Sequence, residues 1–374
     1  MLNEKLELKR HSSNEEEANL FIEKFMNHPD EPYKKKLSLK HIFFESLLHL
    51  YHAYIITEHN ELYMYDYDEK IYTNNDKVLY NLYRRVLMRI PKKTEINQIK
   101  FNLAYRHKQF ALSEEAYHDE DNSKFFRQLI PVKNGVINRQ NKKLIDYDIT
   151  LFIKNKLDII YQPEISYPDD IYHIDDFILN AANHDQDRYN DLMQLINYSL
   201  TGYNREHKLI LFLGAGGSGK SAFGKLLKSI VGQYNSGNLS LEQFNHNPYL
   251  AMLNNKLLNV GDDLDYVSKI KKLSQLTQLV TGKGVEYRRK YQRGENSFLK
   301  SNKLIIQNVV ELPIFDQNAE CYDEINQSTK VYQFENNFVN SDQSTSPLEI
   351  DKMIENRDVK SYLLNQLIDL EVEL

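Results

Sequence analysis

The chain has 374 residues, 41% hydrophobic and 27% charged, with a formal net charge of −6. That length supports two or three domains with a substantial core, and the acidic balance leaves no global basic field for nucleic acid, so any such contact has to be local. One cysteine, Cys321, excludes a disulfide framework and a multi-cysteine zinc site; no apolar run reaches the ~18 residues that span a bilayer, and the charged start MLNEKLELKRHSSNEEEAN is no signal peptide, so a cytoplasmic protein without a membrane partner is expected.

Residues 1–36 are polar, with an acidic run at 15–17 and a lysine triplet at 34–36 that read as solvated charge. Ser38 fits the cap of a helix running to Tyr54. His41, His49, His52 and His59 lack acidic or thiol partners at metal-ligand spacing and read as structural or surface residues. Residues 61–72 (ELYMYDYDEKIY) alternate and turn like a hairpin, and 79–88 read as a helix carrying Arg84, Arg85 and, just beyond, Arg89, which either touch a phosphate backbone or are ordinary exposed arginines, the commoner case. Asp119 to Asn122 form a polar break. Asn134-Gly135 between apolar pairs marks a tight turn between strands. Residues 162–170 (QPEISYPDD) read as a linker, and 171–203 as helical.

The stretch LILFLGAGGSGKSAFGKLL, residues 209–227, organises the rest. Leu209 to Leu213 reads as a buried strand, Gly214-Ala215-Gly216-Gly217-Ser218-Gly219-Lys220-Ser221 fits G-x-x-x-x-G-K-[ST], and Phe223, Leu226, Leu227 and Ile230 follow at helical spacing. Such a match arises by accident in about one chain of this length in a hundred at average glycine usage, and the flanks cut that further. Glycines let backbone N–H groups, from Gly214 through Ala222, wrap an anion at a helix N-terminus. Lys220 can reach the β/γ phosphates and Ser221 can offer its hydroxyl to Mg²⁺, so ATP and Mg²⁺ are the expected cofactors.

Ser240-x-x-Gln243 is a capping box. The strand ending Val260-Gly261-Asp262-Asp263 supplies paired carboxylates: Asp262 to hold the metal and Asp263 to orient and deprotonate water, with Asp265 as alternative and a plain turn as the bland reading. Residues 264–280 read as a helix stopped by Gly282 and Gly284. Residues 285–298 read as two strands about a basic tip. Arg288, Arg289, Lys290, Tyr291 and Arg293 there either grip a nucleic-acid backbone or decorate an ordinary exposed hairpin. Another buried strand ends at Asn308, whose amide either senses a γ-phosphate or holds the attacking water, or else forms a turn.

In this order, GAGGSGKS, LLNVGDD, LVTGKGVEYRRKY, KLIIQNVVELP and VYQF resemble the superfamily 3 helicases, in particular the primase–helicases of bacteriophages, satellite phages and poxviruses. Upstream, IPVKNGVINRQNKKL resembles the segment preceding their ATPase domains, so the resemblance covers about residues 60–338. It implies an α/β fold, an AAA+-type P-loop ATPase core, with a mixed α+β N-terminal accessory domain (1–170), a helical linker (171–204), the ATPase domain (205–338) and a short acidic tail (339–374). It further implies a homo-hexameric ring acting on single-stranded or forked DNA in a bacterial host cytoplasm, with Asn308 as sensor and 285–298 as the channel hairpin. The family's arginine finger has no counterpart, because no arginine lies between Arg293 and Arg357; Lys330 is the nearest cation. No primase domain fits the first 60 residues and no winged domain follows the core, which points to a separate primase or origin-binding partner. A nucleotide-binding regulatory protein with little turnover and a DNA-packaging ATPase are the competing readings.

Overall fold

A computed structural model describes residues 54–56, 62–106, 128–148, 151–200, 208–261, 273–281, 283–287, 297–299, 304–312, 315–336, 338 and 345–370. Its contacts form two compact units, Met1–Phe126 with Tyr147–Lys154, and Arg127–Asp146 with Asn155–Leu374.

In the first unit, β1 (Tyr54–Ile56), β2 (Leu62–Asp66) and β3 (Ile71–Thr73) form an antiparallel sheet in that order, followed by α1 (Asp76–Leu87) and α2 (Lys93–Arg106). The expected hairpin is present. Asp66 accepts the N–H groups of Asp68 and Glu69 and so closes its turn. Strand alternation sends Tyr63 and Tyr65 to one face, where they meet Tyr72 and Phe152 edge-on. Helix α1 starts on an Asn75 cap and buries Leu79, Leu82 and Tyr83. The helix expected from Ser38 lies outside the described residues, except Tyr54, which is in β1.

The second unit opens with β4 (Leu129–Val132), β5 (Gly135–Asn138) and β6 (Lys143–Ile145), an antiparallel sheet whose first turn is the expected one. The segment 162–170 then runs without regular structure to α3 (Ile174–Ala181) and α4 (Gln186–Ser199). After these come β7 (Leu209–Leu213), α5 (Lys220–Val231), β8 (Ser236–Gly237), α6 (Asn247–Leu250), β9 (Leu258–Gly261), α7 (Ser274–Val280), β10 (Val285–Tyr287), β11 (Ser297–Leu299), β12 (Leu304–Val309), α8 (Tyr322–Gln327), β13 (Thr329–Gln333), α9 (Pro347–Glu355) and α10 (Arg357–Ile368). Five strands make a parallel sheet in the order β13-β7-β12-β9-β8.

Strand β7 is apolar throughout because both its faces are covered. Ile210 and Phe212 join a cluster with Phe223, Leu226, Leu227 and Ile230 of α5, while Leu209 and Leu211 join a second one with Leu276, Leu279, Tyr287 and Val309. The capping box at Ser240 and Gln243 is formed and starts a short 3₁₀ turn. Of the helix expected over 264–280, only Ser274–Val280 falls within the described residues and is helical. Within the stretch expected as an acidic tail, Ser346 and Asn356 cap α9 and α10, and Met353, Ile354, Val359, Leu363, Leu364 and Leu367 enter the first cluster. No helix among the described residues is long and apolar enough to cross a membrane.

Candidate functional site

The loop between β7 and α5 leaves the sheet at its carboxyl edge. Gly214 is packed so closely that a Cβ there would collide with the carbonyl oxygen of Phe334 and would lie 2.7 Å from Ser218 Oγ. Gly219 caps α5 at φ +97° with no side chain on the cap, so the first-turn N–H groups of a twelve-residue helix meet no side-chain acceptor there. Ala215, Gly216 and Gly217 are exposed, Ser218 is buried, and Ser221 is exposed in the first turn, followed by half-buried Ala222.

Lys220 is only 3% exposed. Its ammonium donates to the carbonyl oxygens of Gly214 at 2.7 Å and Ala215 at 2.9 Å and lies 3.5 Å from Ser218 Oγ. The charge is thus held inside the loop by carbonyl dipoles and a hydroxyl. A polyphosphate fits this donor set, since one ammonium, an uncapped helix start and exposed glycines converge on it.

Strands β12 and β9 end on the same edge: Val309 pairs with Leu213, and Gln307 with both Leu211 and Gly261. Asn308, beside Phe212, is 2% exposed, and its Oδ1 has no hydrogen-bond partner among the described residues. Gln307, which the sequence reading passes over, is fully buried, and its Nε2 donates to the Asn308 carbonyl at 3.2 Å. The signal for it is two amides in an otherwise apolar strand. Strand β9 delivers the chain to this edge at Gly261. Asp262, Asp263 and Asp265 lie outside the described residues, and among the described ones no group of three or more His, Cys, Asp or Glu could hold a metal.

Lys330 sits early in β13, opposite Ile210, 3.8 Å from Asp191 of α4 and 5.0 Å from the Tyr332 ring centroid. Burial pushes the Tyr332 hydroxyl up, away from ionisation. After β13 the chain turns back over the loop. Phe334 donates its N–H to Leu213 at 2.7 Å, Phe338 donates to the Gly217 carbonyl at 3.1 Å, and the Phe338 ring lies 3.1 Å from where a Gly219 Cβ would stand. Arg188 of α4 pairs with Glu335 at 2.8 Å and secures this return segment. Nothing in the spacing of FENNF advertises Phe338.

The expected hairpin is present at its base, where β10 and β11 pair antiparallel through Tyr287 and Ser297. Arg288, Arg289, Lys290, Tyr291 and Arg293 lie outside the described residues.

Residues 212–320, which run from β7 through the loop and β12, match a family of unknown function, DUF5906. No curated protein matches the chain. Among solved structures, an A-form apo structure of the NrS-1 C-terminal region is similar over 58% of this chain and 51% of that one, at 17% identity and a TM-score of 0.44. A second apo structure of that region, 305–718, gives 58% and 49%, at 18% identity and 0.44. The chain therefore spans about half the length of the solved structures it matches.

Proposed function

We propose that the chain is an ATP-dependent DNA helicase or translocase of the superfamily 3 type, built on an AAA+-like P-loop core and acting in replication of a phage or mobile element. The observation that carries this reading is the placement of the Gly214–Ser221 loop. It follows the second strand of a parallel sheet ordered β13-β7-β12-β9-β8, with Lys220 folded inside it and Asn308 on the adjoining strand. In α/β sheets of this kind, ligands bind outside the carboxyl ends of the strands.

In this proposal the loop N–H groups from Gly214 to Ala222 hold the phosphates, and Lys220 exchanges the Gly214 and Ala215 carbonyls for β/γ oxygens. Ser221 and Asp262 hold Mg²⁺, which when bound neutralises developing phosphate charge. Asp263 takes the proton of the attacking water, and the Asn308 amide positions that water or the γ-phosphate. Arg288, Arg289, Lys290, Tyr291 and Arg293 grip single-stranded or forked DNA in a homo-hexameric ring, with Lys330 offered to the neighbouring site. A separate primase or origin-binding protein is the further partner in this proposal.

A second reading, nucleotide-driven assembly with little turnover, is favoured by one observation: no arginine lies between positions 293 and 357, where the nearest cation is Lys330. A missing finger costs about 10³–10⁵ in turnover in other P-loop enzymes. ATPase rate with and without single-stranded DNA, run beside a sizing measurement in ATP, separates the two. DNA-stimulated hydrolysis supports the first, and assembly without hydrolysis supports the second. A monomer that does neither rejects both.

A further inference from the structure

From Asp76 to Arg106 the first unit carries eight Lys and Arg against two acids, a net +6 within a chain of net −6. Both acids are already committed: Asp76 pairs with Lys100, and Glu95 takes the guanidinium fork of Arg89 at 2.7 and 3.0 Å. Lys77, Arg84, Lys92 and Lys93 are exposed and have no ion pair among the described residues. Lys77 and Arg84 stand two turns apart on α1 and so share a face.

The corner joining α1 to α2 is fixed from several sides. Met88 closes α1 in the left-handed region at φ +52°, Arg89 is clamped by Glu95 and Tyr83, the Lys92 N–H donates to Glu95 at 2.9 Å, and Pro91 is buried. This turn holds Met88 73% and Ile90 74% exposed, two apolar side chains in water, with the exposed Arg84, Lys92 and Lys93 near them in the chain.

We infer that this corner is a contact surface for single-stranded nucleic acid. Lys77, Arg84, Lys92 and Lys93 meet phosphates, while Met88 and Ile90 meet the faces of unstacked bases. Charge complementarity selects a polyanion. Among the described side chains of α1 and α2 the strongly exposed apolar ones are those of the turn, since Leu79, Leu82, Tyr83, Ile96 and Ile99 are buried; that is too little surface to partition into a lipid interface, and a polynucleotide strand is the occupant it fits. The inference rests on the first unit alone and does not depend on the nucleotide site.

The test uses the full chain without nucleotide and follows anisotropy of a fluorescein-labelled oligothymidylate across a salt series. Replacing Lys77, Arg84, Lys92 and Lys93 together by Ala lowers low-salt affinity at least ~10-fold and flattens the salt slope by about 0.7 for each phosphate that is no longer neutralised. Met88→Ser with Ile90→Ser weakens binding several-fold and leaves the slope unchanged. Lys220→Ala keeps the corner's binding even where ATP turnover is lost, so failure of the motor reading and failure of this one are distinguishable. Unchanged affinity and slope in the fourfold variant, with an unchanged melting temperature, overturns the inference. So does a variant that loses binding to anionic vesicles or to an acidic peptide while holding the oligonucleotide as before.

Discussion

The Lys220 ammonium and the Gly214 carbonyl oxygen are hydrogen-bonded at 2.7 Å across the loop that both belong to. With Ala215 at 2.9 Å, the cation of a side chain buried in the loop is solvated by backbone dipoles. Charged hydrogen bonds of this kind contribute about 1.5–3 kcal/mol each, and a polyphosphate offers the same donor stronger acceptors. Lys220→Ala is therefore expected to remove ATP binding. A ligand at a hundred times its Kd adds about 2.7 kcal/mol of stability, so ATP should raise the melting temperature of the unaltered protein and leave that of Lys220→Ala where it was. Thermal scans with and without MgATP check this; an equal rise in both would remove Lys220 from the site.

Asn308 is buried beside Phe212, and its amide oxygen has no hydrogen-bond partner among the described residues. A buried polar atom left without a partner costs about 1–3 kcal/mol. Asn308→Leu is similar in size and removes that cost, so the melting temperature should stay level or rise. If the amide acts on the γ-phosphate or the attacking water, ATP turnover should fall at least ~10-fold, with ATP affinity changed less than about threefold. A destabilised variant that hydrolyses normally would assign the residue to the core alone.

The parallel sheet and its loop are legible in the sequence because their signals are local. LILFL is a strand buried on both faces, the glycine run is a turn, and Phe223 to Ile230 repeat at helical spacing. The amides in β12 are half-legible: Asn308 stands near a strand end, whereas Gln307 shows only as a second amide in an apolar run, and the surface it packs on, Gly261 of β9, is distant in sequence. The return of Phe338 over Gly217 is not legible at all, since a backbone hydrogen bond between positions so far apart has no composition signature. In the acidic C-terminal stretch, net charge masks an apolar spacing, Val359, Leu363, Leu364 and Leu367, that does read as a helix face once charge is set aside.

The base of the hairpin is anchored by Val285, Tyr287 and Leu299, all buried in the second core cluster. Arg288, Arg289, Lys290 and Arg293 fall in the connection between its two strands, outside the described residues. Lys290→Ala with Arg293→Ala should leave the melting temperature and basal ATP hydrolysis unchanged while abolishing stimulation by single-stranded DNA and strand separation. Basal and stimulated rates measured side by side decide it; stimulation that survives the double change would leave the tip as exposed decoration.

Glu95 ties the α1–α2 corner together and predicts a pH signature. The Arg89 fork, the Lys92 N–H and the Tyr83 hydroxyl at 3.1 Å hold its carboxyl down at about 2, against an ordinary value of 4.5. A depressed folded-state value means the unfolded chain binds the proton first. The contribution is therefore complete above about 4.5 and is lost as pH falls towards 2. Glu95→Gln keeps the shape but not the charge, so it should lower the melting temperature at neutral pH and flatten its fall across that acid window. Since the same contacts hold Met88 and Ile90 outward, the variant should also weaken oligothymidylate binding at neutral pH despite gaining a positive charge. Binding that tightens instead would mean that net charge, not the fixed geometry of the turn, governs this surface.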